Sequence, residues 1–234
     1  MSLILDMHIH TKKHSSDSML DPSELLSEIP EMPMSGINIC EHDKVWNKHE
    51  IEEYKANNPQ FFCSFGIEVA TDYGHVVALG LTEYISGIHK LEKLKEEIDK
   101  IGGFIFIAHP FRYVFDKVTA MRQGATKFEK TPEEASEMEV FKLVHGVEIA
   151  NGGNTPQENK FAYDVAKYLD LTILGGSDAH SLSGLGYYAT RINSQINSQD
   201  ELINALHAGN TDVMSLNKEE GTYEIYQPQR QLKT

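Results

Sequence analysis

The chain of 234 residues has little cysteine and no long apolar segment. Its two cysteines, Cys40 and Cys63, lie inside short apolar runs typical of buried strands, so we expect core thiols in a reducing compartment and no disulfide. No apolar stretch approaches the length of a membrane helix, and no charged and apolar leader opens the sequence. We therefore expect a cytoplasmic protein with no membrane partner.

Positive charge is also scarce. Lysine and arginine number 21 against 35 aspartate and glutamate residues, which gives a formal net charge of -14. A protein of this charge is repelled by the phosphate backbone of nucleic acids, so we expect no long nucleic acid as a partner. Bound cations would offset part of the charge, because the formal value ignores them.

Short apolar runs alternate with helical patterns along most of the chain. The predicted strands cover residues 3–7, 37–40, 61–69, 75–81, 104–108, 146–150 and 171–174, and the third and fourth are expected to form a hairpin. Predicted helices cover residues 22–29, 45–56, 88–101, 155–169 and 198–208. This alternation predicts an α/β fold with a largely parallel sheet, whose ligands gather at the carboxyl ends of the strands.

The same pattern predicts one domain over residues 1–216 and a polar C-terminal tail over residues 217–234, with a short strand at residues 223–226. Residues 113–136 are polar and weakly patterned, which predicts an insertion that is either a surface loop or a lid.

Residues of metal-ligating types occur where the predicted strands end. His8 and His10 follow the first strand at a spacing that places both rings on one face. The other candidates at or just beyond strand ends are Asp17, His42, Glu68, His75, His109, Asp178 and His180. One histidine in such a place is usually a hydrogen-bonded rim residue, but the recurrence along the chain predicts a metal centre.

This set is too large for a single tetrahedral or octahedral ion. Two or three divalent ions that share a bridging carboxylate would use it fully, and Glu68, which stands alone in mid-chain, is the predicted bridge. Nitrogen and oxygen donors without a thiolate indicate Mn, Fe or Zn.

In chain order these segments resemble the motifs of the polymerase and histidinol phosphatase (PHP) family over roughly residues 3–192. The matching segments are Asp6-x-His8-x-His10-Thr11, Ser16-Asp17, Cys40-Glu41-His42-Asp43, Gly66-Ile67-Glu68, Gly74-His75, Ala108-His109-Pro110-Phe111-Arg112, Gly146-Val147-Glu148 and Gly176-Ser177-Asp178-Ala179-His180. The resemblance implies a distorted seven-stranded (β/α)7 barrel, a trinuclear site at the carboxyl ends of the strands and hydrolysis of phosphate esters. Glu41 stands where the family usually has Asp, and its extra methylene bears either on a hydrogen bond to the ligand His42 or on a proton-transfer role at this position.

The predicted function is that of a metal-dependent phosphoesterase acting on a small phosphorylated metabolite or nucleotide. Metal ions lower the pKa of a bridging water towards neutrality and neutralise charge that develops on phosphate oxygens. Arg112 is predicted either to clamp a phosphate or to form a surface ion pair, and Lys44 is a second candidate for a phosphate contact.

Two alternatives use the same residues. One is hydrolysis of a non-phosphate bond, as in amidohydrolases on similar barrels, and the other is a non-catalytic metal-binding regulatory module. The complete ligand set argues against the second alternative, and activity on amides or lactones that does not depend on Arg112 would favour the first.

Overall fold

The computed structural model describes residues 2–116, 118 and 128–228. The strands are β1 (Leu3–Ile9), β2 (Gly36–His42), β3 (Phe62–Thr71), β4 (Gly74–Leu79), β5 (Phe104–Ile107), β6 (Gly146–Asn151), β7 (Thr172–Gly176), β8 (Tyr188–Ile192), β9 (Thr211–Asn217) and β10 (Thr222–Ile225). The α-helices are α1 (Leu25–Glu28), α2 (Lys48–Asn57), α3 (Leu91–Ile101), α4 (Pro132–Ser136), α5 (Pro156–Ala166) and α6 (Gln199–His207). Short 3-10 helices cover Ile29–Glu31, Glu139–Lys142 and Leu182–Gly184.

The described strands form one sheet in the order β10-β9-β8-β1-β2-β3-β4-β5-β6-β7. Strands β1, β2 and β3 pair in parallel, as do β5, β6 and β7, while β4 is antiparallel to both of its neighbours. Beyond β7 the chain returns to the first strand, because Ala179 forms a parallel bridge with Ile9. The sheet is therefore strongly curled, and the carboxyl ends of β1 and β7 meet.

The α/β architecture is confirmed, but the exact seven-stranded (β/α)7 barrel is not. The described sheet has 10 strands, because β8, β9 and β10 extend it by antiparallel pairing on the far side of β1. Strands β8 and β9 were not predicted from the sequence because they carry polar residues such as Thr190, Arg191 and Asp212 among their apolar ones. The short strand expected near Tyr223 is present as β10, so this part of the expected tail belongs to the sheet.

Local sequence signals explain most of the element boundaries. Asn47 and Glu50 form a capping box at the start of α2, and Thr155 and Glu158 form one at the start of α5. The helix predicted over residues 22–29 is reduced to the single turn of α1 and a 3-10 turn. There the Asp21 carboxylate accepts from the backbone and hydroxyl of Ser23, which makes a local turn in place of a helix cap.

Apolar residues pack on both faces of the sheet. Leu91, Leu94 and Ile98 are the buried face of α3, which covers the outer face. Inside the curl, Val77 and Leu79 pack with Phe104 and Phe106. His75 shares their face of β4, so the inner apolar cluster lies beneath the polar strand ends.

The prediction of free, buried thiols is confirmed, whereas the prediction for the insertion can be compared only in part. Cys40 and Cys63 are free and buried, as predicted. The predicted insertion over residues 113–136 lies partly outside the described residues, and its described part includes α4 and Phe128, whose ring packs against Phe111. Within the part of the chain that the structure describes, every helix lacks the length or the hydropathy of a membrane-spanning segment.

Candidate metal centre

Glu68 lies at the centre of the predicted ligand set. It stands near the end of β3, is 2% exposed, and is surrounded by imidazole rings. Its Oε1 atom lies 3.1 Å from Nδ1 of His75, 3.2 Å from Nε2 of His109 and 3.4 Å from Nε2 of His8. Its Oε2 atom lies 2.7 Å from Nδ1 of His42 and 3.5 Å from Nε2 of His10. One buried carboxylate thus touches histidines from several strand ends.

Asp178 is the second carboxylate of the cluster and follows β7. Its Oδ1 atom lies 3.2 Å from Nε2 of His10 and 3.5 Å from Nε2 of His8, and its Oδ2 atom lies 3.9 Å from Nε2 of His109. Asp178 and His109 have positive φ angles of 54° and 30°. Such angles are unfavourable for residues with a Cβ, and they persist only where surrounding contacts enforce them, as at functional sites.

Asp17 and His180 complete the cluster at its solvent edge. The Oδ2 atom of Asp17 lies 3.2 Å from Nε2 of His42 and 3.4 Å from Nε2 of His180. Asp17 is the most exposed of the set, with 59% of its side chain accessible. All the residues predicted as ligands therefore lie in one cluster, while their role as ligands remains a prediction.

Glu148 lies in a segment that resembles the family motifs, but the sequence pattern predicts no role for it in the site. It lies in β6, is buried, and its Oε1 atom faces Nδ1 of His8 at 3.2 Å. Its Oε2 atom accepts from the backbone N–H of His109 and from Nδ2 of Asn151, both at 2.8 Å. A charged residue inside an apolar strand was the available signal, since a buried carboxylate needs such partners.

Asp6 is a buried carboxylate that connects β1 to neighbouring segments of the site. Its carboxylate accepts from the backbone N–H groups of Ser177 at 2.8 Å, Gly186 at 3.0 Å and His8 at 3.2 Å. Burial raises its pKa to about 6, against the lowering effect of these hydrogen bonds. Asp6 therefore ties β1 to the segments that follow β7.

Arg112 lies beside Asp178. Its Nη2 atom donates to Oδ2 of Asp178 and Oδ1 of Asn151, both at 2.6 Å, and its Nε atom donates to Oδ1 of Asn154 at 2.9 Å. The side chain is 19% exposed, so the guanidinium reaches the edge of the site. Lys44 is exposed on the loop that follows β2.

The hydrogen bonds of His8 and His10 indicate that the cluster is built for cations. If Nδ1 of His8 donates to Glu148 and Nδ1 of His10 donates to Ser15, their Nε2 atoms both carry lone pairs, yet these atoms are only 2.9 Å apart. Oε2 of Glu68 is buried and accepts no well-aligned hydrogen bond from the described residues. Two imidazole lone pairs at this distance and an unpartnered carboxylate oxygen beside them fit divalent cations.

The charge balance of the metal-free cluster leads to the same conclusion. Burial disfavours a charged His8, but the negative charges nearby, first that of Asp178, outweigh burial and raise the pKa of His8 well above its usual value. Burial lowers the pKa of His10 to about 4. One proton between the two rings thus takes a place that a bound cation would fill.

Several groups of side chains are close enough to share an ion. Three of them are His10 with His42 and His180, His8 with His109 and Asp178, and Glu68 with His75 and His109. A fourth joins Cys40 to His8 and His10. Burial raises the pKa of the Cys40 thiol, and Sγ donates weakly to the carbonyl of Ile9, so the thiol is protonated in the metal-free chain.

Comparisons with known proteins were made by sequence and by fold. A family model described as PHP-associated matches residues 156–211. The uncharacterized protein MJ0417 of Methanocaldococcus jannaschii is 28% identical over 183 residues, which cover 78% of this chain and 67% of that protein.

Two solved structures are similar in fold. One is a two-domain Bacteroides vulgatus protein that contains a predicted PHP-like metal-dependent phosphoesterase, with a TM-score of 0.57, 20% identity and 91% of this chain covered. The other is the lesion-specific endonuclease PfuEndoQ of Pyrococcus furiosus, with a TM-score of 0.56, 14% identity and 92% of this chain covered. This chain spans 64% of the first protein and 58% of the second, and at these identities the likeness establishes the fold alone.

Proposed function

Because this chain is a protein of the PHP domain family, we propose that it is a metal-dependent phosphoesterase whose ions are held by the cluster around Glu68. The observation that carries this proposal is the convergence of histidines from several strand ends on the buried carboxylates of Glu68 and Asp178. The lone pairs of His8 and His10 at 2.9 Å support it, because they require a cation or a proton between them.

The proposed ligands are His8, His10, Asp17, His42, Glu68, His75, His109, Asp178 and His180, which suffice for two or three ions of Mn, Fe or Zn. Bound ions would supply Lewis acidity towards phosphate oxygens and an activated water as nucleophile. Glu68 is the proposed bridge, because its two oxygens face different sets of histidines. Glu148 orients His8, and Asp6 holds β1 against the residues after β7.

Arg112 is the proposed phosphate clamp. Its Nη2 and Nε atoms are engaged by Asp178, Asn151 and Asn154, which fixes the plane of the guanidinium. Among the described residues, none accepts a hydrogen bond from Nη1, so its N–H groups are available to a phosphate oxygen. Lys44 is proposed as a second phosphate contact, because it is exposed and follows the proposed ligand His42 by two residues.

We propose a small phosphorylated metabolite or nucleotide as the substrate. The formal net charge of -14 disfavours a long polyanion, and a small substrate needs only the local positive charge of the ions and Arg112. The finer fold proposal is that β1 to β7, which follow one another in the sheet and meet at the Ile9–Ala179 bridge, are the barrel of one domain over residues 1–216.

The test is hydrolysis by protein reconstituted with Mn, Zn or Fe, with metal content determined on the same samples. Turnover is measured as phosphate release from phosphomonoesters and nucleotides, and as formation of the cleaved products from a phosphodiester and a short oligonucleotide. We expect turnover of small phosphate esters with two or three ions per chain. Ions bound without turnover of any phosphate would refute the phosphoesterase and favour the amide or lactone substrates of the alternative, which belong in the same panel.

The variant Glu68→Gln connects activity to the cluster. It removes the central negative charge with little change in shape, so metal content and turnover should both fall severely. Glu158→Gln is the matched control, because Glu158 is a buried glutamate that lies outside the cluster. Full metal content and activity in Glu68→Gln would remove Glu68 from the site.

A further inference from the structure

Glu41 is a buried carboxylate whose acceptor sites are all in use. It lies in β2 directly before His42 and is fully buried. Its Oε1 atom accepts from the hydroxyl of Thr11 and from Nε1 of Trp46 at 3.0 Å. Its Oε2 atom accepts from the backbone N–H of Thr11 at 2.9 Å and from the hydroxyl of Ser15 at 2.6 Å. These bonds match the roughly four acceptor sites of an ionised carboxylate, so Glu41 joins the loop after β1 to the segment after β2.

The hydrogen bond from Ser15 determines what Ser15 offers to the ligands. A hydroxyl has one hydrogen, and here it points to Glu41, so the oxygen is left as an acceptor. This oxygen accepts from the backbone N–H of His42 at 3.2 Å and faces Nδ1 of His10 at 3.4 Å. A neutral His10 that donates from Nδ1 to Ser15 leaves a lone pair on Nε2, the atom that faces His8 and Asp178.

We propose that Glu41 is a positioning residue that sets the tautomer and orientation of the ligand His10 through the hydroxyl of Ser15. Nε2 of His10 is thereby ready to bind a divalent ion before the ion arrives. His8 receives the same tautomer by a direct route, because its Nδ1 atom faces Glu148. This inference rests on the proposed metal function, and it gives a role to the residue at which the chain departs from the usual Asp of its family.

The experiment compares the affinity for Mn²⁺ and Zn²⁺ of wild type, Ser15→Ala, Glu41→Gln and the double variant. Loss of an outer partner of a metal-bound histidine typically lowers metal affinity ten- to hundredfold, and we expect a loss in this range for each single variant. Because both changes break one relay, the metal affinity of the double variant should be no lower than that of the single variant with the lower affinity. Independent effects would multiply instead.

Ser64→Ala is the matched control for Ser15→Ala. It removes an equally buried hydroxyl, which donates to Asn38 at 2.8 Å, and its metal affinity should equal that of wild type. Trp46 is the only tryptophan in the sequence and donates to Glu41, so its fluorescence reports ion binding during the titration. If Glu41→Gln does not fold, Ser15→Ala against Ser64→Ala still decides the question.

Three results would overturn the relay: wild-type metal affinity in Ser15→Ala, an equal loss of affinity in Ser64→Ala, or losses that multiply in the double variant. A wild-type protein that binds neither ion would overturn it as well. Ion binding is measured without substrate. A protein that shows the expected affinities but releases no phosphate would therefore refute the proposed phosphoesterase and leave the relay supported.

Discussion

Replacing Glu148 by Gln should weaken metal binding through a change in His8 alone. Glu148 is 1% exposed, and its two oxygens meet His8 Nδ1, the N–H of His109 and Nδ2 of Asn151. A Gln side chain has one oxygen, and this oxygen satisfies the most donors by facing His109 and Asn151. Its NH2 group then faces Nδ1 of His8, which must become an acceptor.

The consequence for His8 is a change of tautomer. With Nδ1 as acceptor, the proton of the neutral ring moves to Nε2, the atom that faces the cluster, and Nε2 can no longer bind an ion. The expected loss of metal affinity is ten- to hundredfold, or about 1.4–2.7 kcal/mol. The lost charge-assisted hydrogen bond should lower the free energy of unfolding by about 1.5–3 kcal/mol.

The assay is a metal titration of Glu148→Gln and Glu158→Gln beside denaturant unfolding of both. Glu158 is a matched control, because it is 4% exposed and accepts from the backbone N–H groups of Tyr113 and Thr155, which are not proposed ligands. Both variants should lose stability, but only Glu148→Gln should lose metal affinity. Wild-type metal affinity in Glu148→Gln, or an equal loss in Glu158→Gln, would show that Glu148 does not set the tautomer of His8.

Three further predictions concern substrate binding, ion removal and pH. Arg112→Lys should raise KM for a phosphate ester about tenfold or more, because an ammonium cannot reproduce the planar guanidinium that Asp178, Asn151 and Asn154 hold in place. The change would be measured by steady-state kinetics at matched metal content, and an unchanged KM would exclude the clamp. A chelator should abolish phosphate release and lower the melting temperature, because ions that bind only the folded chain stabilise it by about 2.7 kcal/mol at a concentration of 100 times Kd. A melting temperature that changes with neither chelator nor added ion would contradict a bound metal. His145 is neutral in the folded chain, because burial lowers its pKa and its Nδ1 atom accepts from the N–H of Ile105. Below the usual pKa of about 6.5, the unfolded chain therefore binds more protons than the folded chain. The stability due to the neutral His145 is fully present above about pH 6.5, and it is lost as the pH falls from there through the lowered pKa of His145 in the folded chain. Denaturant unfolding at pH 7.5 and 5.5 should show a smaller loss of stability in His145→Gln than in wild type, and an equal loss would be evidence against a neutral, half-buried His145.

The residues of the candidate site could be identified from the sequence because of the geometry of parallel strands. Side chains at the carboxyl ends of neighbouring strands meet at one edge, so His42 and Glu68 had to approach each other once β2 and β3 were known to be parallel. The β3–β4 hairpin likewise brings His75 close to Glu68 through the turn at Asp72 and Tyr73.

The outer partners of these residues could not be identified in the same way. Glu148 reaches His8 across 140 positions of sequence, and Ser15 reaches Glu41 across 26, so neither contact has a local signature. The added strands β8 and β9 were missed for a related reason, because the pairing of β8 with β1 joins segments about 185 positions apart, and β9 enters the sheet only through β8.

The alternation of strands and helices, the buried thiols and the members of the cluster could be predicted from the amino-acid pattern, because these features depend on period, burial and short-range order along the chain. Three features required the folded chain: a sheet of more than seven strands, the anchoring of Arg112 by Asp178, and the link from Glu41 to His10 through Ser15. Such contacts depend on how the curled sheet brings distant segments to within hydrogen-bonding distance, and no local pattern encodes that distance.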